Sequence, residues 1–266
     1  MADMSGPRRK LQRARDHLET VKFEIEQVCS QRPFTIVVQP NPEPPRFLIR
    51  VFKGPGFTEK AWGMIIGDCV HNARSALDHA VVALSTITAP EETRRLQFPI
   101  APTPEAYSND LKRRRLDGIA ANVEAIIESV QLYHCSSGHT SDLLFLLSEI
   151  DNGDKHRAIM PVAAIGNVTR TQLGNIVQLG HGMSLTMKSC TIDGVPFEYK
   201  TIGNGEITED GAAIAEFVGT PPNMNMYTDL ACQIKFGSSC PGVEHRPVVD
   251  TLTLILGRVE EVIGKL

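Results

Sequence analysis

Seven residues within one short stretch of the chain, Asp68, His71, Asn72, Arg74, Ser75, Asp78 and His79, combine acids, bases and short hydrogen-bonding side chains. A histidine changes protonation near neutral pH and can act as general acid or base. An arginine offers a planar fork that matches two oxygens of a phosphate or carboxylate. Asp68, His71, Asn72, Ser75 and Asp78 are short enough to orient such groups or a substrate. A second segment, Glu149-Ile150-Asp151-Asn152-Gly153-Asp154-Lys155-His156-Arg157, repeats this palette. If a helix continues through Gly153, then Glu149, Asn152 and His156 share one stripe. The plainer reading makes Lys155, His156 and Arg157 a charged helix end at the negative pole of the dipole.

The first seven residues require a helix to position them. At about 100° per residue, Trp62, Ile65, Ile66, Cys69, Val70, Ala73, Ala76, Leu77, Ala80, Val81 and Leu84 share one wide arc of a helix spanning Thr58 to Leu84. The seven polar residues occupy the opposite arc, which holds no Lys and no Glu. A helix face turned to bulk water favours Glu, Lys and Gln, whereas Asp, Asn, Ser and His are poorer helix formers. Their presence at mid-helix calls for a tertiary reason, either a satisfied polar network or a functional cleft.

Arg74-Ser75-Ala76-Leu77-Asp78-His79 places an arginine, four residues and a histidine on a helix. This resembles the motif of the HEPN superfamily of small helical ribonucleases and nucleic-acid-linked domains. The resemblance covers the helices from about Thr58 to Arg157. It implies a metal-independent RNase or an inactive RNA-binding relative, a homodimer in which two motif copies meet, and Arg74 and His79 as catalytic residues. Asp68, His71, Asn72, Ser75, Asp78 and His156 would then bind or orient substrate. Lys112-Arg113-Arg114-Arg115, with Arg94 and Arg95, would form a local basic track; the plain alternative is a solvated charged surface. Asp78, four residues beyond Arg74, is also spaced for an intrahelical ion pair that would occupy the guanidinium. The other functional reading follows from that pair: a non-catalytic ligand- or protein-binding protein whose Asp/His/Arg cluster is a structural polar network.

Asp68, His71, His79, Asp151, Asp154 and His156 are metal-ligand types, but no His-Glu-x-x-His or Glu-x-x-His element is present, so no metal and no other cofactor is expected. Gly180-His181-Gly182-Met183-Ser184 is not a nucleophile elbow. Without a phosphate loop or dinucleotide fingerprint, no nucleotide cofactor is expected either.

Around the central helix the sequence predicts an α+β fold. Leu11, Ala14, Leu18, Val21, Ile25 and Val28 mark a helix over Pro7 to Gln31, and Phe34 to Phe52 reads as a hairpin about a proline-rich turn. Ala101 to Tyr107 reads as a loop, and helical spacing returns over Asp117 to Val130 and Ser141 to Ile150. Ile176 to Met187, Val195 to Thr201, Ala212 to Val218 and Ala231 to Phe236 are strand-like, and Pro247 opens a last helix. The expected organisation is a mainly helical half over 1–157 with a hairpin at 34–52, an antiparallel β-rich half over 158–244, and a C-terminal helix over 245–266 that returns to the helical bundle. With 27 basic and 31 acidic residues the formal charge is −4, which argues against a whole-surface polyanion binder. No apolar run is long enough for a membrane helix, and Met1 to Lys10 is polar, so a cytoplasmic protein with no membrane partner is expected. The six scattered cysteines then read as thiols.

Overall fold

The computed structural model describes residues 2–31, 34–40, 46–54, 62–135, 142–156, 159, 161–165, 186–192, 195–202, 207, 209–218, 232–238, 240 and 242–266. The class is α+β, as the sequence predicts. The three-to-four spacing of the first segment becomes helix α1 (Ser5–Ser30), which buries Leu11, Ala14, Leu18, Val21, Ile25 and Val28. Strands β1 (Phe34–Pro40) and β2 (Arg46–Lys53) pair antiparallel as the expected hairpin. Helix α2 (Trp62–Leu84) carries the polar segment; Thr58, its expected cap, lies outside the described residues.

Between α2 and the next long helix the described residues form three short α-helices, α3 (Pro90–Thr93), α4 (Pro104–Lys112) and α5 (Ala121–Ser129), and a single 3-10 turn over Leu132–His134. The loop expected over 101–107 is replaced from Pro104 by α4. Pro104 stands at a first-turn position, where its missing N–H is not needed, and Thr103 Oγ1 accepts a hydrogen bond from Ala106 N at 3.2 Å. The helix expected from Asp117 begins only at Ala121, because Gly118 has φ 72° and reverses the chain. A Cβ on Gly118 would also lie 2.7 Å from Ser85 Oγ, so glycine is needed for space as well as for conformation. Helix α6 (Leu143–His156) continues through Gly153, the condition under which Glu149, Asn152 and His156 share one stripe, and α7 (Val248–Lys265) is the last helix.

The remaining strands are β3 (Pro161–Ile165), β4 (Thr186–Ile192), β5 (Val195–Thr201), β6 (Ala212–Val218) and β7 (Cys232–Phe236). Among the described residues all pairings are antiparallel, in a five-stranded sheet ordered β1-β2-β6-β5-β4 and a two-stranded sheet β3-β7. The hairpin of the first half therefore continues the sheet of the second through β2 and β6. Residues 176–185 of the expected strand lie outside the described residues.

One apolar core runs through the helices and the sheet. Helix α2 lies at its centre, packed against α1, α6 and α7. Its predicted apolar arc is buried at Trp62, Ile66, Cys69, Val70, Ala73, Ala76, Leu77, Ala80 and Val81. Trp62 Nε1 donates to Glu24 Oε2 of α1 at 3.1 Å, and Arg15 of α1 pairs with Glu260 of α7 at 2.6 Å. Cys29, Cys69, Cys135 and Cys240 remain thiols, and burial pushes that of Cys69 up to about 12. Among the described residues no helix is long and apolar enough to cross a membrane.

Candidate functional site: the polar face of α2

The polar face of α2 divides into two constellations that meet different neighbours. At the first, Arg74 is nearly covered, with 11% of its side chain exposed. Its Nη2 donates to Phe98 O at 2.6 Å and lies 3.1 Å from Asp78 Oδ1. The same Asp78 oxygen accepts from Phe98 N at 2.9 Å. The i,i+4 pair on α2 thus holds both backbone groups of one residue in the 94–103 connection, a fully reciprocal clamp. Three residues on, the buried Gln131 Oε1 accepts from Ala101 N at 2.8 Å, while its Nε2 donates to Ile127 O at 2.9 Å. The connection is therefore fixed at Phe98 and again at Ala101.

Burial raises the Asp78 carboxyl above its ordinary range; Arg74 and the Phe98 amide oppose that, the Asp151 carboxylate adds to it, and Arg115 opposes it. Asp78 is the electrostatic link between the two constellations.

The second constellation faces α6. His71 Nδ1 stands 3.6 Å from Asp151 Oδ1; the imidazole is 63% exposed and the carboxylate 6%. The buried Asp151 carboxylate beside the exposed imidazole can bias the orientation of the ring. Asp154, one turn further along α6, has its carboxyl raised chiefly by burial, then by Asp151 and Asp68, with His71 opposing. Asp68 is exposed, and its carbonyl accepts from Asn72 Nδ2 at 2.8 Å. So Asp68, His71, Asp151 and Asp154 come together, with three carboxylates and one histidine.

Two glycines that the sequence analysis passed over make this approach possible. A Cβ on Gly67 would lie 2.5 Å from Asp154 Oδ2, and a Cβ on Gly63 would run into the carbonyl of Ile159. Their signal was present: glycines four apart inside a helix weaken it by about 1 kcal/mol each, which calls for a packing reason.

The remaining expected residues are placed separately. His79 is exposed and borders the first turn of α1, where a Cβ on Gly6 would lie 3.7 Å from its Nδ1. Ser75 is half-buried. His156 ends α6, and its side chain lies outside the described residues. No group of three or more His, Cys, Asp or Glu suited to a metal ion occurs among the described residues. The chain matches no protein-family model, and comparison with curated proteins and with solved structures finds no match.

Proposed function

We propose that this chain is a non-catalytic α+β binding protein in which the Arg74 to His79 segment is structural. One observation supports this above the others: the Arg74 guanidinium and the Asp78 carboxylate are both engaged by the backbone of Phe98. An arginine that stabilises charge on a scissile phosphate needs its donors directed at the substrate. Freeing Arg74 would break the ion pair and leave a largely covered carbonyl without its donor. A cytoplasmic location, expected from six scattered cysteines without a Cys-x-x-Cys pair, belongs to the same proposal.

The second reading is the HEPN-like, metal-independent RNase assembled from two copies of the chain. It draws on the exposure of His79, which leaves an imidazole available to a substrate. RNA cleavage in the presence of a chelator separates the two. Wild type, Arg74→Ala and His79→Ala, compared at matched folded fraction, should give the same background. Cleavage by the wild type that both substitutions abolish would overturn the non-catalytic reading.

A further inference from the structure

We propose that the surface formed by residues 91–95 and 110–117 docks the phosphate backbone of a nucleic-acid duplex. This names a partner for the binding reading above and rests on it. Two segments apart in sequence meet here: Gln97 N donates to Arg115 O at 3.1 Å, and Arg95 Nη2 lies 3.7 Å from Asp117 Oδ2. They gather Arg94, Arg95, Lys112, Arg113, Arg114 and Arg115 against Glu91, Glu92, Asp110 and Asp117, a cationic surface on a chain of net charge −4.

The carboxylates serve mainly as its scaffold. Asp110 lies 3.0 Å from Arg115 Nε and 3.8 Å from Arg113 Nη1, and Asp117 holds both Arg114 and Arg95. Arg94 and Lys112 are exposed and have no carboxylate partner among the described residues. The Nε–H of Arg95 is buried without a hydrogen-bond acceptor, so this paired cation is incompletely satisfied. Arg114 has φ 62° just past the end of α4, where glycine or asparagine is the easy choice. A long side chain is held there at a cost of about 1 kcal/mol, more than half exposed and tied by its Nε to Asp117.

The composition of the surface selects the partner. Five of its six cations are arginines, suited to phosphate oxygens. Neither segment contains an aromatic residue, whereas single-strand binders interleave aromatics for base stacking. Its two leucines, Leu111 and Leu116, are half-buried and buried, so nothing apolar is offered to a lipid surface. What remains is sequence-independent contact with duplex phosphates.

The test is fluorescence anisotropy of the full chain with a labelled DNA duplex, an RNA duplex of the same sequence, the matching single strand, and poly-glutamate. Duplex binding should weaken with salt at a log–log slope of about −3, as expected for three or four phosphate contacts. The variant Arg94→Gln/Lys112→Gln/Arg113→Gln, with its melting temperature checked, should bind at least about tenfold more weakly with a flatter slope. No duplex binding at low salt, an unchanged slope in the folded variant, or equal binding to the single strand or poly-glutamate would overturn the proposal. Gels run on the same samples report strand cleavage, so failure of the non-catalytic reading would be seen separately from failure of the docking surface.

Discussion

Along one polar face, α2 builds two constellations from the same residue types; burial raises a carboxyl in both, but only Asp78 has an arginine beside it to oppose the shift. At the Arg74–Asp78–Phe98 clamp each charge meets its complement and each polar backbone group of Phe98 is used. At the α2–α6 contact, Asp68, Asp151 and Asp154 crowd a single histidine, and each neighbouring carboxylate raises the Asp154 carboxyl further. The difference teaches what short polar residues at mid-helix can be for. The clamp spends them on fixing a neighbouring segment, whereas the acidic contact tolerates like charges where Gly67 lets α6 approach closely.

Removing a charge should therefore change stability in opposite directions at the two places, Arg74→Ala lowering it and Asp154→Asn raising it. Arg74→Ala should destabilise the chain by about 2–3 kcal/mol, since it leaves Asp78 and Phe98 O without their partner in a partly buried site. A melting temperature lowered by about 5–10 °C would register this. Gly63→Ala should cost about 2 kcal/mol, because the new methyl meets a backbone carbonyl that cannot step aside. Gly67→Ala meets only the end of the Asp154 side chain, and the gain in helix propensity offsets much of the clash, so its change should stay within about 1 kcal/mol. Urea unfolding of both variants measures the contrast; equal losses would mean that the Ile159 carbonyl, beyond the end of α6, yields as readily as the Asp154 side chain.

Asp154→Asn should show the smallest effect and the opposite sign, a stabilisation of a few tenths to about 1 kcal/mol at pH 7. A carboxyl whose folded pKa is raised binds protons more readily in the native state than in the unfolded one. Its ionised form penalises folding above the raised folded pKa, and the penalty fades as pH falls toward the unfolded value near 3.8. The advantage of the variant should thus shrink on acidification. A variant less stable than wild type at pH 7 would show that Asp154 makes a net favourable contact.

Much of this was legible in the residues. The stripe from Leu11 to Val28, the two arcs of α2, the existence of the hairpin and the closing helix follow from periods of 3.6 and 2, which side chains alone reveal, whereas the hairpin register does not. The ion pair of Arg74 with Asp78 follows from spacing as well. Its other partner does not, because Phe98 takes part through backbone groups that every residue carries. The meeting of Asp151 and Asp154 with Asp68 and His71 depends on how α6 is placed, and the union of Arg95 with Asp117 on a turn reversed at Gly118. Helix α4 escaped although Thr103-Pro104 carries both start signals, since the helix buries only Tyr107 and so has almost no apolar period.

The central claim is that Arg74 works through Asp78 and Phe98, and a double-mutant cycle over Arg74→Ala and Asp78→Ala measures it most directly. Unfolding in denaturant should give a double variant more stable than the sum of the single losses predicts, with a coupling of about 1–2 kcal/mol. Additive losses, or an Arg74→Ala chain as stable as the wild type, would contradict the account and release the arginine for catalysis.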